Sequence, residues 1–211
     1  VGTNLLLLTL DSVNLTLGLL GIPAKDLQHL KGLSVASDRM HHLPDGWFNA
    51  FPSLTSLNLD NNDIRELTED TFSGIDNTLH TLELNHNRLK KIPKEAIGRL
   101  SRLESLELSN NHIKKITPRS FENCTKLVTL NLGSNLISDI SPWAFEGMFH
   151  LEEIDLRNNK LITLDEHLFF FPGSRVREVW LADNEWLCNC LLRWLRKAYK
   201  RRTERAAVFV D

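Results

Sequence analysis

The sequence predicts an α/β-type solenoid of about eight coils, with parallel strands along one side and an irregular or short-helical opposite side. Three observations predict it. An apolar string returns every 24 or 25 residues, an asparagine keeps a fixed place inside that string, and a phenylalanine column marks the returning half of most coils.

The string is clearest from Leu54, which begins Leu54-x-x-Leu57-x-Leu59-x-x-Asn62-x-Ile64. It recurs as Leu79, Leu82, Leu84, Asn87, Leu89, then as Leu103, Leu106, Leu108, Asn111, Ile113. Further copies are Leu127, Leu130, Leu132, Asn135, Ile137 and Leu151, Ile154, Leu156, Asn159, Leu161, with Val176, Val179, Leu181, Asn184, Trp186 as the last. Stepping back gives Leu30, Leu33, Val35, Asp38, Met40, and before it Leu5, Leu8, Leu10, Val13, Leu15. Units therefore start at 5, 30, 54, 79, 103, 127, 151 and 176, with Asp38 and Val13 departing from the Asn column. The apolar run from Leu5 to Leu10 looks like the core of a signal peptide, but it lies in the repeat frame and has no basic leader.

Each element has a physical reason. Alternating Leu-x-Leu forms a short strand with one buried face. Stacked copies pair those strands in parallel and bury a continuous core. Asn62, Asn87, Asn111, Asn135, Asn159 and Asn184 are expected to point inward, where their amides satisfy backbone groups of the bend that no strand can pair. Phe48, Phe72, Phe121, Phe145 and Phe169 share one place on the returning half, with Ile97 standing in, and form a second hydrophobic column. Cys124 falls where other units have Ile75, Leu100 and Met148, so it reads as a buried thiol.

The string, its period and its Asn column resemble the extracellular leucine-rich-repeat family. That resemblance implies a curved right-handed coil with the strands on its concave face. Beyond Asn184, the run Trp186-Leu-Cys188-Asn-Cys190, followed by Trp194-Leu195, is similar to the opening of that family's cysteine-flanked C-terminal cap. Glu185 stands where the family has Pro, and no further cysteine follows. The expected organisation is a solenoid over 1–183 and a truncated cap over 184–211, with disulfide partners for Cys188 and Cys190 outside this chain. No cysteine-rich N-terminal cap is visible, so a fragment of a longer protein is expected. Two N-x-T acceptor triplets, at Asn14 and Asn123, join the cysteines in favouring a secreted or ectodomain setting.

Composition excludes several classes. The net charge of −2 makes no demand for nucleic acid. A hydrophobic content of 42% is too high for a disordered chain. His41, His42, His80, His86 and His112 lack zinc-ligand spacing. Phosphate loops and hydrolase motifs are missing too. The reading is a non-enzymatic chain with no cofactor and no metal.

Charge within the frame is uneven. Unit positions 2, 3, 5, 7 and 8 are expected to face outward from the strands. They carry Asp60, Glu83, Glu104, Glu107, Glu152, Glu153, Asp155, Glu178 and Asp183 against only Arg157 and Arg177, with His80 and His86 alongside. Either this is a solvated face, or it is a docking surface for a basic partner. On the second reading the partner-binding residues are Asp60, Glu83, Asn85, Glu107, Asn131, Asp155, Arg157 and Trp180. The segment after Cys190 is its counterweight, with Arg193, Arg196, Lys197, Lys200, Arg201, Arg202 and Arg205 on what resembles an amphipathic cap helix. Glycan contact there, and pairing of two copies of the chain, are further expectations.

The resemblance implies an extracellular protein-recognition module of a receptor ectodomain, adhesion protein or matrix protein. Two other readings share the repeat: a Toll-type innate-immune pattern receptor, and an intracellular inhibitor-type horseshoe gripping a basic protein.

Overall fold

The computed structural model describes residues 6–10, 27–169, 171–187, 194 and 207–209. Asn14, Cys188, Cys190 and the basic residues from Arg193 to Arg205 lie outside the described residues.

Among the described residues eleven strands occur in chain order: β1 (Leu7–Thr9), β2 (Gly32–Ser34), β3 (Ser56–Asn58), β4 (Thr81–Glu83), β5 (Ser105–Glu107), β6 (Lys115–Ile116), β7 (Thr129–Asn131), β8 (Asp139–Ile140), β9 (Glu153–Asp155), β10 (Glu178–Trp180) and β11 (Ala207–Phe209). Nine form one sheet in the order β1-β2-β3-β4-β5-β7-β9-β10-β11, and every pairing is parallel. The first eight of these begin two residues after 5, 30, 54, 79, 103, 127, 151 and 176. The ninth, β11, falls in the segment read from the sequence as cap, and Ala207 pairs with Glu178. It lacks the repeat string, so periodicity passes it over. On the returning side β6 and β8 form a two-stranded parallel ladder. The short helical turns Trp47–Ala50, Lys94–Ile97 and Glu166–Leu168 also lie on that side.

The strands are short because only three residues in each unit must lie flat against their neighbours. The middle residue points in: Leu57, Leu82, Leu106, Leu130, Ile154 and Val179 are all fully buried. Each such side chain contributes about 1.5–3 kcal/mol through burial. The phenylalanine column lies behind them. Rings of Phe48 and Phe72 are 5.8 Å apart, Phe121 and Phe145 5.8 Å, and Phe145 and Phe169 5.9 Å, with buried Ile97 bridging the gap. Trp194 extends the stack, 6.4 Å from Phe169, and its indole N–H donates to the Leu164 carbonyl at 3.0 Å.

The asparagines form the polar seam. In each case Nδ2 donates to a carbonyl of its own unit and one of the unit before, and Oδ1 accepts an N–H of the unit before. Asn111 donates to Leu108 and Leu84 at 3.1 and 2.9 Å and accepts from the Leu89 N–H at 3.0 Å. Asn87, Asn135, Asn159 and Asn184 repeat the pattern on Ile64, Ile113, Ile137 and Leu161. Asn62 accepts two amides, from Asp38 and Met40.

The residue just before each asparagine, and before Asp38 in the unit that lacks one, has a left-handed backbone. Ser37, Asn61, His86, Asn110, Ser134, Asn158 and Asp183 have φ between 51° and 62°. The chain reverses out of the strand there, and none of these side chains is β-branched, since such residues resist positive φ. The outward position 8 of the sequence reading is therefore a turn residue and not a strand residue.

Replacing Asn111 with alanine should lower the unfolding free energy by about 1–3 kcal/mol, since the groups it serves are left buried and unpaired. Chemical denaturation measures this. Substitution of the neighbouring exposed His112 should change stability by less than about 0.5 kcal/mol. Equal effects at the two positions would contradict the seam.

Candidate functional site

The sheet aligns the outward residues of successive units into rows. One row runs Ser34, Asn58, Glu83, Glu107, Asn131, Asp155, Trp180, each a register partner of the next. The row beside it runs Gly32, Ser56, Thr81, Ser105, Thr129, Glu153, Glu178. Strand spacing of about 4.8 Å places neighbouring side chains within reach of one another.

Much of the first row is already engaged. Asn58 Oδ1 accepts the Asp60 N–H at 2.9 Å, Asn131 Oδ1 the Gly133 N–H at 3.0 Å, and Asp155 Oδ1 the Arg157 N–H at 2.9 Å. These oxygens hold the turn that follows their own strand. Asp60 reaches across instead, accepting the Asn85 N–H at 2.6 Å and its Nδ2 at 3.3 Å. Asn85 Oδ1 does the same for Ser109, taking its N–H and hydroxyl at 2.8 Å. Asp60, Asn85, Asn131 and Asp155, expected from the sequence as partner-binding groups, thus also secure backbone. Of these, Asp155 is the most enclosed, with 9% exposure, and the Arg157 Nε lies 3.1 and 3.0 Å from its two oxygens.

Glu83 and Glu107 are half-buried, and each accepts one bond on Oε2, from Asn58 and Asn131, both at 2.7 Å. Burial holds both carboxyls above the ordinary carboxylate range, and neighbouring acids push the same way: Asp60 and Glu107 on Glu83, Asp60 and Asp155 on Glu107. The Asn131 bond opposes this at Glu107. Asp60 is raised as well, again mainly by burial, against the pull of its bonds to Asn85. Among the described residues the side chains of Glu104, Glu153 and Glu178 meet no hydrogen-bond donor. Glu152 lies 3.5 Å from Arg177.

Trp180 is half-buried beside Asp155 in the row, with the Arg157 guanidinium carbon 6.0 Å from its ring centroid. Arg157 thus links Asp155 to the indole. That arrangement was not legible in the sequence, because it depends on register across two units.

On the returning side Asn123 is exposed with φ 72°, and Cys124 beside it is buried. Burial pushes the Cys124 thiol up to about 12, so it holds its proton. The sequence reading did not single out Trp143, Phe149, Ile162 and Leu187, which are the more exposed large apolar groups away from β1. Each lies off the repeat string, and that is the signal by which they could have been found. Among the described residues no cluster of His, Cys, Asp or Glu is placed to hold a metal ion, and no helix is long and apolar enough to cross a membrane.

The family model described as leucine rich repeat matches residues 28–78, 77–137 and 125–174. Leucine-rich repeat-containing protein 3 of Danio rerio is 36% identical over 76 residues, covering 36% of this chain and 29% of that protein. Leucine-rich repeat-containing protein 3B of Homo sapiens is 34% identical over 68 residues, 32% of this chain and 26% of its own length. The chain thus matches less than a third of the length of these relatives. A solved structure, the octameric complex of Latrophilin 3 (Lec, Olf), Unc5D (Ig, Ig2, TSP1) and FLRT2 (LRR), contains a similar chain with a TM-score of 0.73 and 22% identity. The match covers 90% of this chain and 58% of that one.

Because folding raises the Glu83 carboxyl above its ordinary value, mainly through burial, its contribution to stability is present below the ordinary carboxylate value and is lost as pH rises through the raised one. Glu83→Gln should therefore stabilise the fold at pH 7 and make no difference below that window. Denaturation at the two pH values checks this. A variant less stable at neutral pH would contradict it.

Proposed function

The chain belongs to the leucine-rich repeat family, and on that premise we propose that it is an extracellular protein-recognition module that binds a basic protein partner through the acidic face of its sheet. The carrying observation is the alignment of Glu83, Glu107, Glu153 and Glu178 on one open face at fixed strand spacing. A parallel sheet whose strand order follows the chain is a rigid frame, so these groups meet a partner without prior ordering, which favours affinity. Their field steers and orients a cationic surface. The face offers hydrogen-bonding groups and carboxylates, which suits recognition of a charged partner.

The extracellular setting is supported by the exposed Asn123 of the Asn123-Cys124-Thr125 triplet, an acceptor pattern for N-glycosylation. Asn14-Leu15-Thr16 is a second such triplet. The neighbouring chain's place in a complex with Latrophilin 3 and Unc5D is a role of the kind proposed here. The division into a repeat body over 1–183 and a cap over 184–211, with Cys188 and Cys190 disulfide-bonded, belongs to the same proposal. So do glycan contact by the basic segment and pairing of two copies.

Two measurements test the reading. Protein secreted from animal cells should shift in mobility on glycosidase treatment, and Asn123→Gln should remove part of that shift. Protein that is secreted yet never shifts would count against the glycosylated setting. Screening against secreted ectodomains should yield partners whose affinity falls about tenfold or more in the E83K/E107K double variant, with a shallower salt dependence. An unchanged Kd and salt slope would move binding to another surface.

A further inference from the structure

The outward face is not level. Unit 6 presents only short, neutral groups, Val128, Thr129, Asn131, Gly133 and Ser134, between units that present longer ones. The result is a depression of about 150 Å³ floored by Thr129 and Asn131 and walled by Glu107, Glu153, Asp155 with Arg157, and Trp180. Gly133 contributes by what it lacks. A Cβ there would lie 3.3 Å from Asn131 Oδ1 and 3.4 Å from Asp155 Oδ1, so a side chain would crowd the two oxygens that border the floor.

The charges around the depression are not balanced. Arg157 bridges to Asp155 and answers that carboxylate. Glu107 uses one oxygen on Asn131, leaving Oε1 without a donor among the described residues, and Glu153 has none on either oxygen. Register places Glu107 on β5 and Glu153 on β9, either side of β7. They stand on opposite walls over the same floor, and Trp180 closes one end with a flat apolar surface.

We propose that this depression receives a single lysine or arginine side chain of the basic protein partner, its charged head between Glu107 and Glu153 and its methylene stem against the Trp180 indole. This rests on the acidic-face reading and narrows it to one seat. Long cationic side chains lay their stems along apolar surface while the charge meets polar partners. A carboxylate pair on two walls suits a head group with several donors. The existing contact of Arg157 with Trp180 shows that this indole tolerates a cation beside it. Glu83 and Glu178 lie outside the walls and supply only the surrounding field.

The test uses the whole chain and a fluorescein-labelled octalysine peptide, read by fluorescence polarisation at 50 and 150 mM salt. Glu153→Gln removes a wall charge, Thr129→Phe fills the floor without touching any charge, and Glu104→Gln removes an exposed acid that does not line the depression. Circular dichroism checks that each variant keeps the fold. The expected result is a loss of fivefold or more with Glu153→Gln and with Thr129→Phe, and less than twofold with Glu104→Gln. If Thr129→Phe binds as the wild type does and the two acid variants lose equally, the seat is overturned while the acidic face stands. If octalysine fails to bind the unaltered chain even at 50 mM salt, the acidic-face reading itself fails.

Discussion

A carboxamide carries one acceptor and two donors on a rigid plane, and this coil uses all of them to join one turn to the next. Asn135 reaches carbonyls of Leu108 and Leu132 and accepts the Ile113 amide; Asn159 repeats this on Leu132, Leu156 and Ile137. The bend after each strand would otherwise bury backbone groups with no partner. Aspartate offers no donors, and leucine offers nothing polar. The seam also fixes phase: a unit displaced by one residue would lose its asparagine bonds and turn its leucines outward. The leucine and phenylalanine columns supply most of the burial, but the asparagines decide which residue stands opposite which.

Fixed phase is what gives the outer face its meaning. Because Glu83 is always the register partner of Glu107, and Asp155 of Trp180, charges scattered through the sequence become neighbours on a surface. The same closeness imposes a cost, since half-buried carboxylates side by side resist ionisation. The chain meets it partly with amides: Asn58 and Asn131 are placed to donate to Glu83 and Glu107. Elsewhere a carboxylate serves as turn cap, as Asp155 does, and is answered by Arg157.

Periodicity made much of this legible in advance. The spacing of Leu57, Leu82, Leu106 and Leu130 located the strands, and the inward role of the asparagines followed from the chemistry of an unpaired bend. What the spacing did not reveal depends on pairs and not on places. That Asp60 caps the amide of Asn85 one coil later, or that Arg157 lies between Asp155 and Trp180, follows from side-chain geometry once the register exists. The left-handed residue before each asparagine was legible in principle, since Asn61, His86, Asn110, Asn158 and Asp183 are types that tolerate positive φ. Strand β11 was not, because Ala207–Phe209 carries none of the repeat's marks and joins the sheet only by lying beside β10.

Amide hydrogen exchange followed residue by residue reads the seam most directly. The N–H groups of Ile64, Leu89, Ile113, Ile137 and Leu161 donate to asparagine oxygens rather than to a strand. They should exchange as slowly as the amides of Leu84, Leu108 and Leu132, which donate to the last carbonyl of the next strand, and should speed up together in a chain with a central asparagine replaced. Exchange as fast as that of exposed turn amides in the unaltered chain would mean that the asparagines do not hold the coils in phase.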